Sequence, residues 1–90
     1  MTDAGLEHLK GFTNIRWLSI DNTKITDAGL ENLHTNLLVL NLRNTQITDA
    51  GLERVKGFTN LRRLILLETQ VTDEGVNKLQ QALPNCEIRH

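Results

Sequence analysis

The six residues Thr-Asp-Ala-Gly-Leu-Glu occur at 2–7, 26–31 and 48–53, and a relaxed copy, Thr-Asp-Glu-Gly-Val-Asn, occurs at 72–77. The spacings are 24, 22 and 24 residues, so one unit is copied about four times along 90 residues. A unit this short cannot enclose a core. It buries its apolar side only against the units before and after it, which makes a stacked array the expected architecture.

Residues 48–71 serve as the type unit. Thr48 is placed to cap a helix, its hydroxyl accepting from a free amide of the first turn. Asp49 follows, where a negative charge complements the positive helix end. Leu52, Val55 and Phe58 recur at three-residue steps and give a short amphipathic helix. Gly57 ends it, and Thr59-Asn60 makes the loop. Leu61, Leu64 and Leu66 then read L-x-x-L-x-L, with Leu64 and Leu66 on the inward side of a strand. Thr69 and Val71 close the turn to the next unit. Ile15, Leu18, Ile20, Thr23 and Ile25 hold these places in the first unit, and Leu37, Leu40, Leu42, Thr45 and Ile47 in the second.

The recurring L-x-x-L-x-L-x-x-T-x-I/V pattern resembles the leucine-rich repeat family, in the short strand-plus-helix form of ribonuclease-inhibitor and F-box-associated proteins. The resemblance covers the whole chain. It implies an α/β right-handed solenoid with parallel strands on a concave face and short helices on a convex face. The repeats fall at about 2–25, 26–47, 48–71 and 72–90, within a single domain over 1–90. Family units usually carry Asn or Cys where Thr23, Thr45 and Thr69 stand, and a threonine there is expected to bond loop backbone between neighbouring units. The second unit lacks two residues between Leu33 and Asn36, so its helix-to-strand corner is expected to be shorter.

Both ends of the array depart from the pattern. At the C-terminus, one register puts Leu83, Cys86 and Ile88 at the L-x-x-L-x-L places. Another pairs Asn85-Cys86 with Asn60-Leu61. At the N-terminus, Leu6, Leu9, Ile15, Leu18 and Ile20 form a first apolar layer with no polar capping element ahead of it. The strand around 16–20 is a sheet edge with unpaired backbone groups. The chain is therefore expected to be a piece of a longer array or to pair with a second copy as a homo-oligomer through that edge, the plainer alternative being a monomer that tolerates a wet end.

Side chains alternating with the inward leucines point to the opposite face of the sheet. They form three columns: Trp17, Val39, Arg63 and Asn85; Ser19, Asn41, Ile65 and Glu87; Asp21, Arg43, Leu67 and Arg89. Trp17, Val39, Ile65 and Leu67 are apolar where solubility alone favours polar residues, and such patches mark contact sites. Trp and Arg are the types most enriched among interface hot spots. The candidate partner-binding residues are thus Trp17, Ser19, Asp21, Val39, Asn41, Arg43, Arg63, Ile65 and Leu67, with Trp17 and Arg63 as anchors. The plainer alternatives are that Trp17 covers the edge of the first unit and that Asp21 pairs with Arg43 across adjacent strands.

Composition narrows the partner class. A formal charge of −1 gives no basic excess for nucleic acid or for an anionic membrane surface. Apolar runs reach only four residues, as in Leu37 to Leu40, and span no bilayer. A single cysteine, Cys86, makes no internal disulfide, and no signal segment opens the chain, so the expected location is cytoplasmic. His8, His34 and His90 recur at no fixed place, and Cys86 with His90 is too sparse for a metal site. The row Asp3, Asp27, Asp49 and Asp73 is accounted for by one helix N-terminus apiece rather than by calcium. No nucleophile, phosphate or zinc motif is present. The expectation is a non-catalytic module without cofactor or metal that binds a protein through its concave face. By resemblance, such modules recruit partners to larger machinery, including ubiquitin ligases. The alternatives are an assembly element that associates through the first unit and an accessory segment of a longer enzyme.

Overall fold

The computed structural model describes residues 2–9, 11, 14–33 and 36–90. Four strands lie in one parallel sheet in chain order: β1 (Trp17–Ser19), β2 (Val39–Asn41), β3 (Arg63–Ile65) and β4 (Glu87–Arg89). Helical segments alternate with them: α1 (Asp3–Leu6), α2 (Asp49–Val55) and α3 (Asp73–Ala82), with 3-10 turns at Glu7–Leu9 and Asp27–Asn32. Strands touch neighbouring strands and helices touch neighbouring helices, so each unit packs on the next as the period requires. This is the expected α/β stack.

The core between the two layers is aliphatic. Leu40, Leu42, Leu64 and Leu66 from the strand segments meet Leu30, Leu52, Val55, Val76 and Leu79 from the helical ones, all buried. Ile25 and Ile47 seal the returning turns. Leu18, Leu40, Leu64 and Ile88 occupy one rung across the sheet.

Helix length follows the residues available. The last helix has Asp73 and Glu74 in its first turn and a Lys78–Glu74 pair at 3.4 Å one turn apart. The Gln80 side-chain amide donates to the Leu83 and Cys86 carbonyls at 3.0 and 2.9 Å, closing that helix end. In the second unit, two residues shorter, the segment Asp27–Asn32 is a 3-10 helix rather than the expected α-helix, the tighter winding. The corner at 34–35, and with it His34, lies outside the described residues.

Each of the first three strands is followed, three residues on, by a left-handed residue: Asn22 at φ 56°, Asn44 at 54° and Glu68 at 60°. The threonine that follows donates its hydroxyl back to the carbonyl three residues earlier. Thr23 donates to Ile20, Thr45 to Leu42 and Thr69 to Leu66, each at 2.7 Å. These threonines therefore close the turn of their own unit and do not bridge units as expected. The hydroxyl is short, and the carbonyl at i−3 lies within its reach.

The final strand corrects both sequence registers. Arg63 pairs with Glu87 and Leu64 with Ile88, a shift of 24 residues. The loop before it follows the Asn60-Leu61 alternative: the Cys86 amide donates to Leu83 as the Leu61 amide donates to Phe58. One residue fewer then separates Cys86 from the strand. The columns consequently end at Glu87 and Arg89, not at Asn85 and Glu87.

At the first unit, Leu6 is 0% and Ile20 3% exposed, so these two are covered, contrary to the expectation of a bare layer. Leu9, Ile15 and Leu18 are only partly buried.

Candidate functional site

The helical side holds a set of contacts that the sequence did not suggest. The Thr26, Thr48 and Thr72 amides donate to the Asp3, Asp27 and Asp49 carboxylates, each at 2.8 Å. The three hydroxyls donate to the second oxygen of the same carboxylates. Each aspartate thus grips the threonine that opens the next unit. The glycine of the same motif makes room for it: a Cβ on Gly29, Gly51 or Gly75 would stand 2.3 Å from an oxygen of the preceding unit's aspartate. The two hydrogen bonds from Thr72 hold the Asp49 carboxyl below the usual carboxylate range. Reading these aspartates only as complements to their own helix ends was therefore incomplete. Their carboxylates are tied to the neighbouring unit. The signal was a helix glycine recurring in step with Thr-Asp, since glycine inside a helix is unfavourable without a packing reason.

Among the described residues, Asp73 holds no threonine as Asp3, Asp27 and Asp49 do. Its carboxylate is 94% exposed and lies 3.3 Å from His90 Nε2. His8 is exposed on the 3-10 turn. Among the described residues, no three His, Cys, Asp or Glu side chains come together to hold a metal. Cys86 is buried, and desolvation, reinforced by the charge of Glu87, pushes its thiol up to about 11. It stays protonated and is a poor nucleophile. A shallow groove of about 650 Å³ runs between the second and third helical segments, lined by Glu31, Leu33, Arg54 and Phe58 among others. Arg54 crosses it to Glu31 at 2.7 Å.

On the sheet face, the expected columns form over the first three strands. Trp17, Val39 and Arg63 are register partners, as are Ser19, Asn41 and Ile65. Asp21, Arg43 and Leu67 follow at the strand ends. Trp17 is 73% exposed. Leu67 is 40% exposed, while Val39, Asn41 and Ile65 are half-buried by their neighbours.

The Asp21–Arg43 pair does not form. Asp21 accepts from the Ser19 hydroxyl at 3.0 Å and from Asn22 Nδ2 at 3.2 Å. Asn41 Nδ2 donates to the Ser19 hydroxyl at 3.3 Å, extending that polar strip across two strands. Arg43 instead reaches the next unit and meets Glu68 at 3.3 Å. Asp21 is already taken up by Ser19 and Asn22 within its own unit, and Glu68 lies within reach of the guanidinium from the following one. Arg63 pairs with Glu87 at 3.3 Å, and Arg89 pairs with the same carboxylate at 2.8 Å. Hydrogen bonding and charge from Arg89, then the charge of Arg63, hold the Glu87 carboxyl below its ordinary range. The face therefore carries apolar side chains at Trp17, Val39, Ile65 and Leu67, flanked by a neutral-to-acidic strip at one end and two arginines on one glutamate at the other.

Among the described residues, no helix is long and apolar enough to cross a membrane. No curated protein sequence matches the chain. Residues 34–55, which comprise strand β2, its turn and helix α2, match the family model described as Leucine Rich repeat. That family is in general a non-enzymatic scaffold for protein interactions. The matched unit has its strand in register with β1 and β3 and its Asp-Thr contact repeated on both sides, so a leucine-rich repeat at 34–55 is flanked by units of the same build.

Proposed function

We propose that the chain is a non-catalytic recognition module, a single domain that takes a protein partner across its sheet face. The observation that carries this reading is Trp17, a large aromatic side chain 73% exposed at the start of a row that runs across the parallel sheet through Val39 to Arg63. Burying such a ring on a partner stabilises a complex by about 1.5–3 kcal/mol. Arg63 and Arg43 then orient the partner, since each is already half neutralised by a glutamate that a partner carboxylate can replace. Neither nucleic acid nor a membrane surface suits a face of mixed charge on a chain of net charge −1.

Affinity capture from the native host tests this reading. Trp17→Ala and Arg63→Ala should lose the partner that the parent chain retains. Asn77→Ala, on the exposed helical side, should keep it. Loss with Asn77→Ala and retention with Trp17→Ala would place recognition elsewhere.

A second reading, an assembly element, is favoured by the partly buried Leu9, Ile15 and Leu18 beside edge strand β1.

A further inference from the structure

We propose that two copies of this chain dock head to tail, the last unit of one against the first unit of the next, with Asp73 gripping Thr2 of the following copy. Such docking rests on the assembly reading above, which it deepens, and is independent of recognition by the sheet face.

The contact between units is seen three times inside the chain, always with the same parts. An aspartate carboxylate takes the amide and hydroxyl of the next unit's threonine, a glycine admits it, and the next strand adds in parallel. The amides of Val39, Arg63 and Glu87 donate to the carbonyls of Arg16, Leu38 and Arg62 at 3.0, 3.1 and 2.8 Å. The two ends of the stack present the complementary halves of that contact. Thr2 and Gly5 stand in the same motif as Thr26 and Gly29, yet among the described residues no carboxylate reaches Thr2. At the other end, Asp73 projects a 94% exposed carboxylate that lies 3.3 Å from His90. Strand β1 opens one edge of the sheet and strand β4 the other. Leu18 and Ile88, which share the rung of buried Leu40 and Leu64, are the half-buried ends of that rung. Joining the ends would extend an interface already established three times. Because the two halves differ, the contact is heterologous and leaves a free end after each addition.

Sedimentation velocity on the 90-residue chain, from low micromolar to several hundred micromolar, tests the proposal. The mean mass should climb with concentration without settling at the dimer. Asp73→Asn and Gly5→Ala should each weaken association about tenfold or more, one by removing the grip and the other by filling its seat. Thr2→Ala is a second lesion on the receiving side, and thermal unfolding verifies that each variant is folded. An equimolar mixture of Asp73→Asn with Gly5→Ala should form a one-to-one dimer that grows no further, since each variant keeps the half the other lacks. A chain that stays monomeric throughout overturns the proposal. So does a closed dimer indifferent to both substitutions, or a mixture that remains monomeric. None of these results would bear on partner capture through Trp17.

Discussion

Asp27 and Thr48 stand 21 residues apart and are joined twice, the Thr48 amide and hydroxyl both donating to one carboxylate. The same hydroxyl accepts from the Ala50 amide at 3.3 Å, so a single threonine caps its own helix and anchors the preceding unit. The interface between units is thus partly polar and directional, which fixes their order as well as their packing.

Gly51 is the steric counterpart of that contact. Gly51→Ala should lower stability by about 1–3 kcal/mol despite the better helix propensity of alanine, because its Cβ would press on Asp27. In the Asp27→Ala background the same substitution should be neutral or stabilising. A double-mutant cycle from urea unfolding measures the coupling, and additive effects would deny it.

Acid should weaken the stack. The Asp49 carboxyl is held low by Thr72, so its folded pKa lies below the unfolded value. Its contribution is complete above the ordinary aspartate range, near pH 4, and fades as pH falls through the lower folded value. Glu87 acts in the same direction through Arg89 and Arg63. Urea midpoints between about pH 2 and 7 should therefore fall on the acid side, and Asp49→Asn should flatten that fall. An unchanged slope in the variant would assign the acid sensitivity elsewhere.

Glu68 adopts the left-handed backbone that asparagine takes in the two preceding turns. Glu68→Asn should raise stability by about 0.5 kcal/mol, since a left-handed conformation costs an ordinary side chain roughly 1–2 kcal/mol and asparagine less. The exposed ion pair to Arg43 that is lost contributes about 0–1 kcal/mol at most. A lower thermal midpoint would show that the pair outweighs the turn.

Cys86 should react with thiol reagents only on unfolding. Its thiol is buried and pushed up to about 11, so little thiolate exists at pH 8. The labelling rate should track denaturant concentration, and fast labelling of the native chain would contradict its placement.

The stack and three of its strands were legible because Leu18, Leu40 and Leu64 recur at the unit period and register follows inward spacing. Three features were less so. The last strand drops one residue between Cys86 and Ile88, so simple alignment slips. The Asp-Thr contacts join different units, while the recurring motif reads locally as a cap. Arg43 meets Glu68 of the next unit while Asp21 bonds to Ser19 and Asn22 of its own, a choice of partner that no spacing rule conveys. The composition of the sheet face could be read in advance, but the ion pairs that shape it could not.

A photo-crosslinking residue placed at Val39, in the middle of the sheet face, tests most directly whether that face meets a partner in the native host. A crosslinked protein adduct at position 39, abolished by Trp17→Ala and absent when the probe replaces Gln81 on the exposed helical side, is the predicted result. An adduct at position 81 with none at 39 would contradict it.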